Sequence, residues 1–115
     1  MTISDALNQY SSFHDAELLS LSLQREDREL SMVFSAHHYE TDSWRRLQVR
    51  LLGVTRLSIS NAAASDPAFS EYVFPLTGLV ARVSLPDANH IVASGDYAWA
   101  IDCEFQGSRC DDITG

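Results

Sequence analysis

The sequence predicts a mainly β protein: antiparallel meanders forming a sandwich or partial barrel of six to eight strands, with a short N-terminal helix. Three observations carry this. Apolar residues recur with a two-residue period over most of the chain, turn-forming clusters punctuate the runs, and helical spacing is confined to the N-terminal segment. With 115 residues, 45% of them apolar, the chain reads as a single domain, 1–115, with one core.

Ser4-Asp5 is expected to cap the helix, which reaches about Ser11 and carries Ala6, Leu7 and Tyr10 on one side. The first turn is Arg25-Glu26-Asp27-Arg28. Folding the chain about it sets Leu23 opposite Leu30, Leu21 opposite Met32 and Leu19 opposite Phe34, so burial of one apolar face specifies the register. Glu-Asp suits a four-residue loop better than a type I′ turn, which favours Asn-Gly or Asp-Gly. Residues 37–44 read as a polar loop. Leu47-Gln48-Val49-Arg50-Leu51 then alternates as a third strand beside the second. Gly53 interrupts that run and Leu57-Ser58-Ile59 resumes it, as in a bent long strand or in two strands meeting at a corner.

Residues 61–65 read as a loop, and Asp66-Pro67 offers a cap and first position for a helical turn over 68–72, ended by Phe74-Pro75. Leu79, Ala81, Val83 and Leu85 then share one strand face. Pro86-Asp87-Ala88-Asn89 is expected to turn the chain into a strand at 90–94, and Gly95-Asp96 to form a type II′ hairpin. Tyr97, Trp99, Ile101, Cys103 and Phe105 lie on one face of the next strand. Combining the two turns aligns Val83, Val92 and Trp99 in one row and Leu85, His90 and Ile101 in the next. The opposite face, with Arg82, Asp102 and Glu104, is expected to meet water. Gln106-Gly107-Ser108 leads into a short tail ending in Asp111-Asp112.

Sixteen acidic side chains face eight basic ones, all arginine, for a net charge of −8. Counterion release and anionic leaflets both favour basic proteins, so neither nucleic acid nor a membrane surface is a natural partner; a basic protein would be, while the first reading of the acidity is that it confers solubility. The longest apolar run, Tyr97-Ala98-Trp99-Ala100-Ile101, has five residues, against the ~20 of a membrane helix. Met1-Thr2-Ile3-Ser4-Asp5 has neither the basic region nor the apolar run of a secretory signal, so a cytoplasmic location is expected. Cys103 and Cys110 are then read as reduced structural thiols, and their spacing matches none of the usual zinc pairings.

Two clusters carry chemically capable residue types. His14 and Asp15, in Phe13-His14-Asp15-Ala16-Glu17, supply a base and an orienting carboxylate, but neighbours on extended chain point to opposite faces. The preferred reading is structural, with Asp15 in a turn and Phe13 plugging the core. His37-His38 with Glu40 and Asp42 has metal-ligand types without metal-ligand spacing, and is read as a polar loop. His90 is read as a hydrogen-bonded histidine on the apolar face near a sheet end. The sequence has no glycine-rich phosphate loop, no G-x-S-x-G elbow and no lysine. No catalytic, cofactor-binding or metal-ligating residue is therefore assigned, no cofactor is expected, and the chain is read as a non-enzyme.

The stretch Phe13-His14-Asp15-Ala16-Glu17-Leu18-Leu19-Ser20-Leu21, the apolar second strand and Leu51-Leu52-Gly53-Val54-Thr55-Arg56-Leu57 together resemble small bacterial proteins. In these a Phe-His-Asp entry precedes a β-hairpin and a later strand bends at a Gly-Val. Some belong to the immunity protein 50 type of polymorphic-toxin immunity proteins, and many are uncharacterised. The resemblance covers the first sixty residues or so and implies a cytoplasmic, non-enzymatic protein that binds and neutralises a cognate toxin. It implies no catalytic residues, and it leaves the role of His14 and Asp15 unassigned. A basic nuclease would suit the charge. The candidate contacts are the acidic loops: Glu26, Asp27 and Glu29 at the first hairpin, Glu40 and Asp42 in the long loop, and Asp111 and Asp112 in the tail. The competing readings are a small-molecule binding module with an enclosed apolar pocket, a structural homodimer rather than a monomer, and a small metal-dependent enzyme built on converging histidines.

Overall fold

The computed structural model describes residues 1–24, 26–61, 73–74, 78–95 and 99–114. Helix α1 (Ile3–Gln9) begins with a reciprocal cap: the Thr2 hydroxyl accepts the Asp5 N–H at 3.2 Å, and the Asp5 carboxylate accepts the Thr2 N–H at 3.1 Å. The cap thus lies ahead of the expected Ser4-Asp5 pair, because Asp5 is already the third helical residue. Ile3 and Ala6 are buried, with Tyr10 just beyond the helix. Ser11–Phe13 follow as one left-handed turn, with φ of 55°, 55° and 57°. That turn drives the Phe13 ring into the core, 4.9 Å from the ring of Phe34.

Nine strands follow among the described residues, eight of them six residues or longer. They are β1 (Glu17–Gln24), β2 (Glu29–His38), β3 (Ser43–Leu52), β4 (Arg56–Asn61), β5 (Val73–Phe74), β6 (Gly78–Asp87), β7 (His90–Gly95), β8 (Trp99–Glu104) and β9 (Gly107–Asp112). All pairings are antiparallel, in the order β4-β8-β7-β6-β1-β2-β3-β9, with β5 also on β1. The mainly β class and the short N-terminal helix agree with the sequence reading.

The β1–β2 hairpin has the expected four-residue connection and pairs Leu23 with Leu30 and Leu21 with Met32. Further along, the register shifts between Leu18 and Ser20, so Phe34 faces Leu18 rather than Leu19. Leu18 and Leu21 are both buried yet stand an odd number of residues apart. A single extra residue, Leu19, is what lets both face the core. The inner rows then run Leu18, Phe34, Leu47 and Leu21, Met32, Val49, Cys110 across the first sheet.

Gly53, at φ +64°, makes the corner between β3, which pairs with β2 and β9 in the first sheet, and β4, which pairs with β8 in the second. A second corner, at Gln106, lies against it: the Gln106 N–H donates to Leu52 O at 2.9 Å and the Thr55 N–H to Glu104 O at 2.8 Å. The pair β3/β9 thereby continues around the bend into the pair β4/β8. On the other side β6 joins the sheets, pairing with β1 through Gly78 and Leu79 and with β7 along its length. Strands that switch sheets at bends are the usual corners of such sandwiches, and the buried side chains of both sheets form one cluster.

The second sheet corrects two expected turns. Asp87 pairs with His90, so the hairpin turns at Ala88-Asn89, with the Asn89 N–H on Asp87 Oδ1 at 2.8 Å, and Pro86 stays within β6. Ala93 pairs with Ile101, three residues out of step with a Gly95-Asp96 two-residue turn. Both shifts change the parity of β7, so Ile91 and Ala93 face the core in place of His90 and Val92. The rows Val83, Val92, Trp99 and Leu85, His90, Ile101 accordingly do not form. Trp99, Ile101, Cys103 and Phe105 are buried as expected. The loop at 61–65, beyond Asn61 at the end of β4, the helical turn at 66–72 and Tyr97 fall outside the described residues. Among the described residues no helix is long and apolar enough to cross a membrane.

Candidate interaction surface

Phe13 and Ala16 are buried, and the two residues between them face water: the side chains of His14 and Asp15 are 80% and 75% exposed, with 3.4 Å between Nε2 and Oδ2. Asp15 has φ +59°, a conformation that aspartate tolerates better than most residues. The local pattern is thus set by packing of its outer members and by the turn. Phe13 plugs the core, as the structural reading expects.

His37 and His38 are the last residues of β2 and not part of a loop, correcting the sequence reading. Pairing of His38 with Ser43 leaves residues 39–42 as the connection to β3. The two imidazoles diverge because neighbours on a strand must. His38 turns inward, edge-on to Tyr10 at 4.9 Å, and its Nδ1 accepts from the Thr41 N–H at 3.2 Å. His37 turns outward, with Nε2 2.7 Å from Asp42 Oδ1 and its ring centroid 5.5 Å from that of Trp44. Trp44 is 54% exposed and Tyr39, in the adjoining turn, 75%. Both aromatics thus stand exposed at the same hairpin end as Glu40 and Asp42.

The seven acidic candidates do not converge. Glu26 and Asp27 are exposed in the β1–β2 connection, while Glu40 and Asp42 stand at the other end of the ten-residue β2, about 30 Å away by strand rise. Several are engaged already. Glu29 pairs with Arg50 at 2.7 Å, Asp111 with Arg109 at 3.1 Å and Asp112 with Arg45 at 2.8 Å. Burial raises the Asp112 carboxyl, but hydrogen bonds from Arg45 and Thr114 outweigh it and hold the group below the usual carboxylate range. Glu40 and Asp42 are the acidic pair that shares its surroundings with exposed aromatics.

The corrected parity of β7 puts His90 on the outer, polar face of the second sheet. There its Nε2 lies 2.6 Å from Asp102 Oδ1, and Arg56 reaches Asp102 at 2.7 Å and Glu104 at 3.3 Å. The hydrogen bond from His90, aided by Arg56, holds the Asp102 carboxyl below its ordinary value. This group ties β4, β7 and β8 together across an open sheet face. His90 is hydrogen-bonded, as expected, but on the face opposite to the one expected.

Among the described residues no set of three or more metal-ligating side chains converges, and no charged side chain is buried. Burial pushes the thiols of Cys103 and Cys110 up to about 12, and both are free. An open groove of about 310 Å³ lies between Leu23, Val54 and Leu57, with Arg28 and Arg56 on its rim. It is not the enclosed apolar pocket that a small-molecule module requires.

The sequence reading missed Tyr39 and Trp44. Parity carried a usable signal for Trp44: with Leu47, Val49 and Leu51 facing inward, an even-numbered residue on the same strand must face out. In comparisons with known proteins, no family model, curated sequence or solved structure matches the chain.

Proposed function

We propose that this chain is a non-enzymatic acidic binding protein, in its most specific form an immunity-type protein that neutralises a cognate basic toxin in the cytoplasm. The observation that carries the reading is the β2–β3 hairpin end, where Tyr39 and Trp44 are exposed beside Glu40 and Asp42. Aromatic anchors supply apolar contact at low entropic cost, and carboxylates around them select a cationic partner. The net charge of −8 supports the same reading, since complementary fields speed encounter and orient the docking surfaces. The resemblance of the Phe13–Leu21 stretch to immunity proteins supports the toxin version. The chain acts as a monomer or a homodimer in this reading, without cofactor.

The test is capture of partners from a lysate of the source organism on the purified chain at low and high salt, followed by reconstitution. The captured basic protein should bind in purified form, more weakly at high salt, and its toxicity to cells should be suppressed when this chain is co-expressed. A folded bait that captures nothing under either condition defeats the binding reading. A partner whose toxicity is unchanged by co-expression defeats the immunity version.

A further inference from the structure

The binding reading leaves open what chemistry the hairpin end recognises. Asp42, His37 and Trp44 form a connected group there: Asp42 Oδ1 is 2.7 Å from His37 Nε2, and the His37 and Trp44 ring centroids are 5.5 Å apart at an interplanar angle of 60°. His37 is the inner member, its side chain 28% exposed, whereas that of Asp42 is 92% exposed. One carboxylate oxygen is occupied by the imidazole, which leaves Oδ2 for another donor. Trp44, 54% exposed, presents indole surface and shares the His37 imidazole as its neighbour with Asp42. A hydrogen-bonded carboxylate and an exposed indole that flank one imidazole are complementary to a planar cation that donates in its plane and stacks through its face. Guanidinium meets both demands, and the point charge of an ammonium meets only the first well.

Resting on the binding reading above, we propose that the β2–β3 hairpin end is a receptor for an arginine side chain of the protein partner. The guanidinium stacks on the Trp44 indole and donates to the Asp42 carboxylate, while His37 holds that carboxylate in place. The excess negative charge of the chain draws such a residue in.

The chain has two tryptophans, and Trp99 is buried, so the two indole N–H signals of the ¹⁵N-labelled protein form a probe and its internal control. The full chain is titrated with the capped tripeptide acetyl-Gly-Arg-Gly-amide and with its citrulline counterpart, a neutral isostere. The Trp44 signal should shift saturably with the arginine peptide while that of Trp99 stays. The shift should be about tenfold weaker with the citrulline peptide and with Asp42→Asn, and unchanged by Asp27→Asn at the opposite end of the hairpin. Asp42 is exposed, and the unchanged remainder of the spectrum reports that the variant is folded.

Absence of a saturable Trp44 shift overturns the proposal. So does an equal response to the citrulline peptide, or an equal loss in Asp27→Asn, which would signify diffuse attraction. The two levels fail separately. A captured partner that binds Trp44→Ala as tightly as the parent removes the arginine receptor and leaves the binding reading intact. A bait that captures nothing removes the binding reading, and the peptide titration still judges the receptor.

Discussion

Replacing Gly95 with alanine puts a methyl group where the indole of Trp99 already lies. A Cβ at position 95 would fall inside the van der Waals surfaces of Trp99 Nε1 and Cε2, and 2.5 Å from Cζ2. Comfortable carbon contact is about 3.5 Å, so the ring has to retreat by about 1 Å or more. It has nowhere to go: Trp99 is 2% exposed and belongs to the common core with Ile101 and Cys103. If the core strains to keep the ring, overpacking costs about 1–3 kcal/mol. If the ring is expelled, the loss approaches the ~3–5 kcal/mol of deleting a buried aromatic. A value of about 3 kcal/mol is expected, a large share of the ~5–15 kcal/mol available to a domain. At a urea dependence of roughly 2 kcal/mol per molar, the unfolding midpoint should fall by about 1.5 M, read by far-ultraviolet circular dichroism. Gly107→Ala is the control, since no atom lies within 4 Å of its Cβ position, and it should stay within about 0.5 kcal/mol of the parent. A Gly95→Ala midpoint within about 0.3 M of the parent, or one matched by Gly107→Ala, would refute the packing argument.

Three further outcomes are expected. Thr2→Ala removes the hydroxyl that accepts the Asp5 N–H, while the backbone N–H of residue 2 can still donate to the Asp5 carboxylate, and should cost about 1 kcal/mol in urea unfolding, because the helix presents the buried Ile3 and Ala6; an unchanged midpoint would show that the hydroxyl cap is idle. The Asp102 carboxyl is held below its ordinary value of 3.8, so its contribution is present above that pH and is lost as pH falls through the depressed value. Asp102→Asn should therefore flatten the acid limb of the stability profile, and identical limbs would argue against the His90 and Arg56 contacts. The thiols of Cys103 and Cys110 are raised by burial from 9.0 to about 12, so unfolded chains ionise first and stability should fall as pH rises through that interval. At pH 8 both thiols should resist a disulfide reagent in the folded chain and react on denaturation; prompt labelling of the native protein would contradict their burial.

Side-chain period and local turn chemistry made much of this architecture legible. The β1–β2 register near the turn, the addition of Leu47–Val49–Leu51 beside β2 and the inward face of β8 all follow from alternation, because burial penalises a one-residue slip by turning a whole face over. Sequence arithmetic failed where one extra residue entered. Leu19 shifts the start of β1, and the registers of β7 against β6 and β8 differ by an odd number of residues from those expected, which moved His90 from the apolar row to the polar face beside Asp102. A bulge or a lengthened turn leaves no periodic trace of its own. It is selected by the demand that both flanking strands bury their apolar sides.

The candidate surface divides along the same line. Residue counts determined the acidic balance and the absence of lysine, and alternation along short segments the antiparallel β class. Only the tertiary structure decided which acids stand together. Glu26 and Asp27 lie at one end of a ten-residue strand and Glu40 and Asp42 at the other, and Glu29, Asp111 and Asp112 are taken up by Arg50, Arg109 and Arg45. What makes Asp42 a candidate is its tie to His37 and through it to Trp44, a contact set by cross-strand pairing of His37 with Trp44. Such pairing brings together side chains from different strands, and it is fixed by how the sheet buries its other face.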